Sequence, residues 1–77
     1  MAEVNQRERQ MLAAVAAGRG VLVCGCEPDL IIDGGWCDHV ATRRLVRAGL
    51  ICGVCDGPSG TRVDAIVTAA GRHVLSP

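Results

Sequence analysis

The sequence has no phenylalanine, no tyrosine and no lysine, and its single aromatic residue is Trp36. A core built from this chain must therefore consist mainly of Ala, Val, Leu and Ile side chains. At 77 residues the chain is long enough for one small domain, which we assign to 1–77. Because domains of this size are marginally stable, a homodimer or a bound metal would add useful stability.

The sequence also lacks any apolar run that approaches about 18 residues, the length that indicates a membrane span. The segment 1–10, MAEVNQRERQ, is polar and contains no apolar stretch of the signal-peptide kind. We therefore expect a soluble, cytoplasmic protein with no membrane partner. In that reducing compartment, cysteines serve as thiols or metal ligands more often than as disulfides.

Neither sign of charge is in excess, because eight arginines balance eight Asp and Glu residues to a formal net charge of zero. A neutral chain lacks the general attraction to nucleic acid that basic domains have. Binding to double-stranded DNA would therefore depend on a local cluster of arginines.

The beginning of the sequence predicts an amphipathic helix over about 4–17. Apolar residues recur at helical spacing, while glutamines and arginines occupy the other side. Asn5 is suited to be the N-cap, with Glu8 three residues later as in a capping box. Gly18 then ends the helix.

A hairpin is predicted next, from strand-like residues at 21–24 and 30–32. The turn between them is Glu27-Pro28-Asp29, in which the proline suits the second position. The alternative is a brief helix that begins at Pro28.

The second predicted helix spans 36–48, with Asp38 as its N-cap and Gly49 as its terminator. Its apolar stripe consists of Cys37, Ala41, Leu45 and Ala48. Its basic side consists of His39, Arg43 and Arg47, with Arg44 near the edge. We expect Trp36 to pack at the start of this helix, and an exposed Trp36 would instead indicate a protein or ligand contact.

The rest of the chain predicts two strands joined by the Gly/Pro-rich loop 56–60, followed by a short helix with Thr68 as its N-cap.

Two phrases of the sequence resemble parts of a winged-helix domain. The first is ATRRLVRAGLI at 41–51, a helix that ends in an Ala-Gly-Leu-Ile turn and runs into the wing hairpin. The second is VTAAGR at 67–72, which follows the wing. The chain is similar to the small winged-helix proteins of phages and mobile elements. The resemblance covers 41–75 and implies an α+β fold in the order helix, strand region, helix, wing and short helix.

The resemblance implies a DNA-binding regulator whose recognition helix at 36–48 enters the major groove. A homodimer is compatible with this role. Arginine can pair there with two atoms of guanine. The implied DNA-binding residues are His39, Arg43, Arg44 and Arg47 on the helix, and Thr61 and Arg62 on the wing. The sequence departs from the family at 21–32, because strand-like residues replace the helix that would complete a helix-turn-helix.

A role as a small inhibitor of a host protein complex, for example a defence complex, is the alternative. An acidic loop containing Glu27, Asp29, Asp33 and Asp56 would then face a basic patch of the target. We expect the first three of these residues to lie away from the basic helix side, which would make the molecule dipolar.

The five cysteines suggest a structural Zn²⁺ site. The pairs are Cys24 with Cys26 and Cys52 with Cys55, and four thiolates can close a tetrahedral zinc site. Because the strand after the first helix neighbours the wing in a winged helix, the two pairs could meet. Cys37 and His39 are spare candidates.

Two other interpretations of the cysteines stay open. A three-thiolate site would suit a metal-responsive regulator. Alternatively, the thiols are plain core residues, since free cysteine behaves as a small buried hydrophobe.

Catalysis is not expected. The glycines form no phosphate-binding loop. A Cys37–His39 nucleophile pair would need a cleft that a chain of this size can hardly enclose.

Overall fold

A five-stranded antiparallel sheet in the order β3-β2-β1-β5-β4 organises the computed structural model, which describes residues 4–76. Three helices complete this small α+β fold. The elements are α1 (Gln6–Ala16), β1 (Gly20–Val23), β2 (Asp29–Ile32), β3 (Gly35–Trp36), α2 (His39–Arg47), β4 (Ile51–Gly53), β5 (Arg62–Val67) and α3 (Ala69–Leu75). Residues 1–3 and 77 of the assigned domain 1–77 lie outside the described part.

The predicted first helix and its capping box are confirmed. The Asn5 side chain accepts a hydrogen bond from the backbone N–H of Glu8 at 2.8 Å, and the Glu8 carboxylate accepts one from the backbone N–H of Asn5 at 3.0 Å. These two bonds satisfy donors that a helix start leaves open. After the helix, Gly18 adopts a φ of +82°, a conformation that glycine reaches without strain.

The hairpin predicted around Pro28 is also confirmed, and the alternative helix is wrong. β1 and β2 pair in antiparallel register, with Leu22 opposite Leu30. Both leucines are buried, so this register directs these two side chains toward the helices.

The prediction that the second helix begins at residue 36 is wrong. Asp33 and Gly34 have φ angles of +52° and +80° and form a tight turn, after which Gly35 and Trp36 pair with β2 as the edge strand β3. Positive φ at both central residues is typical of two-residue hairpin turns. α2 therefore begins only at His39, after the predicted N-cap Asp38.

The wing-like hairpin and the last helix form as predicted, and the two sequence phrases of the resemblance lie in contact. The Thr68 hydroxyl donates to the carbonyl of Gly49 at 2.6 Å, and the Thr68 backbone N–H donates to the carbonyl of Leu50 at 3.0 Å. Gly71 lies against the same turn, where an added Cβ would be 2.3 Å from the Leu50 oxygen. This close approach explains why the second phrase contains a glycine inside a helix.

All three helices cover one face of the sheet. The core cluster on that face consists of Met11, Leu12, Val15, Leu22, Leu30, Ala41, Leu45, Leu50, Ile51, Ala65 and Val67. Trp36 belongs to neither this cluster nor the partly buried residues that pack against it, and 65% of its surface is exposed. The expectation that it packs at the start of α2 is therefore wrong.

We predict that Gly71→Ala destabilises the protein, although alanine favours a helix by up to about 1 kcal/mol over glycine. The added methyl group would meet the Leu50 carbonyl and the Val67 side chain, and this overpacking should lower the free energy of unfolding by about 1–3 kcal/mol. Urea unfolding measures the change. Gly35→Ala is the control, because its Cβ would be 3.6 Å from its nearest neighbour, an ordinary contact. A Gly71→Ala variant as stable as the parent would contradict this packing.

Candidate nucleic-acid interface

The α2 helix presents a partly basic surface because its other side is fixed in the core. Ala41, Thr42 and Leu45 are buried. The backbone N–H groups of Val40 and Ala41 donate to the Asp38 carboxylate, which caps the helix start. Outward-facing side chains of the helix are Val40, which is 66% exposed, and the exposed residues His39, Arg44 and Arg47.

Acidic residues lie directly against this basic helix side. His39 Nδ1 is 2.8 Å from Asp29 Oδ1, and its Nε2 is 3.7 Å from Glu27 Oε2. The Arg43 guanidinium lies 3.1 Å from the other Glu27 oxygen. Asp33 instead pairs with Arg19 at the turn between β2 and β3.

The prediction that Glu27 and Asp29 lie away from the basic side is therefore wrong. The physical reason is the loop between β1 and β2, which packs beside α2 and lines a small hollow together with Arg43 and Arg47. The carboxylates of Glu27 and Asp29 lie next to basic side chains of α2. They therefore do not form a separate acidic side of the molecule, as the predicted dipole requires.

Arg44 makes an ion pair with Glu8, at 3.3 Å between its Nε and the carboxylate. Glu8 is only 2% exposed and also completes the α1 capping box, so its carboxylate holds α1 and α2 together. A carboxylate this buried is stable when it is paired and hydrogen-bonded. Arg44 thus has a structural contact besides any role at the surface.

Thr61 and Arg62, the residues predicted to lie on a wing, are exposed at the end of the β4–β5 loop. The backbone oxygen of Thr61 accepts from the N–H of Cys24 at 2.8 Å, and the N–H of Gly60 donates to the Cys24 oxygen at 2.8 Å. The segment 24–28 therefore contacts the β4–β5 loop at one end and α2 near its other end. The predicted DNA-binding residues thus lie on either side of that segment.

Arg47 and Arg62 differ from the other predicted DNA-binding arginines. None of the ion pairs formed among residues 4–76 involves either of them. Both side chains are exposed, so their charge is open to an anionic ligand.

The five cysteines are free thiols that are spread over the fold. Cys24 and Cys26 follow β1, Cys52 lies in β4 opposite Ile66, and Cys55 follows β4. Cys37 is half-buried between β3 and α2, and burial raises its pKa, which a backbone hydrogen bond from Ile32 partly offsets.

Within residues 4–76, no group of three or more His, Cys, Asp or Glu side chains is arranged to hold a metal ion. The structure does not bring the two predicted cysteine pairs into one tetrahedral cluster. The zinc site and the metal-responsive role remain predictions from the sequence.

The feature that sequence reasoning missed is the edge strand β3, which leaves Trp36 exposed. The signal was present as Asp33-Gly34, a dipeptide that favours a two-residue hairpin turn between apolar segments. The adjacent Gly35 made the segment look like the end of an element.

Comparisons with protein-family models, with curated proteins and with solved structures found no significant match to this chain. Over the part of the chain that the structure describes, no helix has the length and apolarity needed to cross a membrane.

Asp38 provides a pH-dependent prediction. The backbone N–H of Ala41 foremost, then that of Val40 and the Arg7 guanidinium at 2.9 Å, hold the pKa of this carboxyl below its ordinary value. Since the folded pKa is the lower one, the carboxylate stabilises the fold above its ordinary pKa, and this contribution is lost as the pH falls through the folded pKa.

We predict that Asp38→Ala lowers the midpoint of thermal unfolding at neutral pH, and that the difference from the parent narrows below about pH 4. Circular dichroism at a series of pH values measures both effects. Asp56→Asn, in the exposed β4–β5 loop, serves as the control with little expected change. A difference that stays constant down to strongly acidic pH would contradict the role of the charge.

Proposed function

We propose that this chain is a winged-helix-like DNA-binding regulator that uses α2 as its recognition helix. The supporting observation is the connection of α2 through Gly49 to the β4–β5 hairpin, with β1 paired along β5. The adjacency of β1 and the wing is what the family resemblance leads one to expect. The β2–β3 hairpin takes the place of the missing helix, so α2 alone would enter the groove.

In this proposal Arg43 and Arg47 contact base edges or phosphates, and Thr61 and Arg62 contact the backbone beside the groove. Arg43 and Arg47 are four residues apart and therefore lie on one side of α2. Arginine suits both tasks, because its planar guanidinium pairs with guanine and with phosphate through two hydrogen bonds.

The ion pairs around α2 set the conditions for such binding. Glu27 is exposed, so its pair with Arg43 adds little stability, and a phosphate can replace it. The Glu27 charge nevertheless remains near the DNA and opposes the approach of phosphates. DNA binding should therefore be weak on random sequence and depend on base contacts.

The first test compares the parent with the double variant Arg43→Ala/Arg47→Ala on fluorescently labelled duplexes selected from a random-sequence pool. Each lost arginine contact should weaken binding roughly fivefold or more and reduce the salt dependence of the affinity by about one unit of slope per lost phosphate contact. Fluorescence anisotropy at several salt concentrations measures both quantities.

The matched control is Arg9→Ala/Arg72→Ala, which removes two arginines from α1 and α3 and should leave the affinity nearly unchanged. If no duplex is enriched by the parent protein, or if both double variants bind equally well, DNA binding by α2 is wrong.

A second prediction follows from the position of Glu27. Glu27→Gln removes a negative charge beside Arg43 and keeps the shape of the side chain, so we expect DNA affinity to rise severalfold at low salt and less at high salt. The same anisotropy assay measures the change. Asp33→Asn is the control, because Asp33 pairs with Arg19 away from α2. An unchanged or lower affinity of Glu27→Gln would contradict the proposed position of the DNA.

Recognition of another protein is the second candidate function, and the exposed Trp36 favours it. Exposed tryptophan is enriched among the residues that dominate protein interfaces. An inhibitor that acts through its acidic loop is less well supported, because Glu27, Asp29 and Asp33 already have basic partners. If the ligand is a protein, Trp36→Ala should abolish binding and Arg43→Ala/Arg47→Ala should retain it. If the ligand is DNA, Trp36→Ala should retain binding and Arg43→Ala/Arg47→Ala should weaken it.

A further inference from the structure

The sheet has a second face that none of the helices in the described chain covers. Side chains on this open face belong to positions that alternate with the core positions of each strand. On β5 they are Arg62, Asp64 and Ile66, whereas Ala65 and Val67 point into the core.

An apolar row crosses this open face. The registers place Trp36 opposite Ile31, Ile31 opposite Val21, and Val21 opposite Asp64. Paired residues of neighbouring strands project from the same face, so these side chains lie side by side. Ile31 is only 7% exposed although it is not part of the core cluster, and a shallow hollow of about 420 Å³ extends from Val21 and Ile31 to Arg62 and Asp64.

This face carries one exposed positive and one exposed negative side chain, so two copies of the face can pair their charges. Arg62 and Asp64 are two residues apart on β5, have opposite charges and are both exposed. No ion pair among residues 4–76 uses either side chain. The other charged pair that lines the hollow, Arg19 with Asp33, is already neutralised within the chain.

We propose that the occupant of the open face is a second copy of this chain, packed face to face about a two-fold axis. The axis would run across the strands at the level of Leu22 and Val63, between the rows that contain Arg62 and Asp64. Rotation about it exchanges the two rows, so Arg62 of each copy faces Asp64 of the other, and Val21 faces Val23. The same rotation sets Ile31 opposite Asp29 of the other copy. Trp36, at the edge of the Asp64 row, then lies over the end of the other sheet as the two sheets approach to about 10 Å.

Self-association agrees with the electrostatics of the whole chain. Two identical copies with a formal net charge of zero have no overall repulsion to overcome. A two-fold interface is isologous, so every favourable contact occurs twice. The inference does not depend on DNA binding by α2, because Arg43 and Arg47 lie on the other side of the sheet. Arg62 is the one residue that both proposals use.

The experiment uses Trp36 as its own reporter, because no other aromatic residue contributes to the fluorescence. Sedimentation equilibrium and tryptophan emission are followed between about 1 µM and 1 mM protein, a range that covers weak to moderate dimers. We expect a monomer–dimer transition whose midpoint coincides with a blue shift of the emission. A chain that stays monomeric throughout, or a dimer that leaves the emission unchanged, overturns the inference.

Charge exchange tests the proposed axis. Arg62→Asp and Asp64→Arg each place like charges opposite one another, so each should raise the dimer dissociation constant roughly tenfold or more. The double variant Arg62→Asp/Asp64→Arg restores opposite charges and should return the constant to near that of the parent. Arg47→Asp and Asp56→Arg are the matched controls, because each reverses one charge outside the open sheet face. Neither should affect dimerisation.

Circular dichroism shows whether each variant is folded, and Trp36→Ala gives a second route to the same answer. Because Trp36 is 65% exposed, its loss should leave the fold intact and weaken the dimer. A double variant that remains as weak as the singles overturns the proposed axis. If a folded Trp36→Ala protein dimerises like the parent, the open sheet face is not the dimer interface.

Discussion

The pairing of β1 with β5 is the interaction on which the rest of the structure depends. It joins residues about forty positions apart, with Leu22 opposite Val63, and connects the N-terminal helix and hairpin to the wing-like hairpin and the last helix. Gly20 makes this pairing compatible with the helix layer, because a Cβ there would be 2.8 Å from a Val15 methyl carbon. Without this pairing the sheet would divide into the three-stranded piece β3-β2-β1 and the two-stranded hairpin β5-β4. An isolated two-stranded hairpin is at best marginally stable.

The small size of the core side chains accounts for the one-sided architecture. One aromatic residue in 77, itself exposed, leaves Leu, Ile, Val, Met and Ala to fill the space between sheet and helices. These residues suffice for one layer of three helices on one face, where Leu12, Leu30, Leu45 and Ile51 are almost completely buried. The opposite face has only a narrow apolar row between charged residues. This division places the α2 arginines and the face proposed for a second copy on opposite sides of the sheet, and Arg62 is the residue that the two proposals share.

The polar contacts near α2 stabilise the fold and lie beside the arginines that we propose bind DNA. Glu8 is tied to the start of α1 and to Arg44, and Asp38 is tied to the start of α2 and to Arg7. Such contacts fix the orientation of the helix, whereas the exposed pair of Arg43 with Glu27 contributes little stability and can exchange partners. The arginines near one another in sequence therefore differ in their physical roles. Arg44 connects two helices, and Arg47 is exposed at the surface.

Local chemistry made much of the fold predictable from the sequence. The capping box of Asn5 and Glu8, the N-caps Asp38 and Thr68, and the turn around Pro28 were recognisable because each depends on residues within a few positions of one another. The helix–hairpin–helix–hairpin–helix order followed from these signals. The candidate site was predictable only as a set of residues, because helical spacing places His39, Arg43 and Arg47 on one side of α2.

The tertiary structure alone decided what surrounds those residues. No spacing rule brings Glu27 to Arg43 or Glu8 to Arg44, since these contacts depend on how a loop and a helix pack against α2 across the sheet. The exposure of Trp36 was decided in the same way, because β3 lies at the edge of the sheet and no core residue packs over Trp36. The sequence by itself determined the caps, the turns and the apolar periodicity, because each of these depends on interactions between residues that are close in the chain. The partners of each charge and the uncovered sheet face arise from contacts between segments that are distant in the sequence, which local signals do not specify.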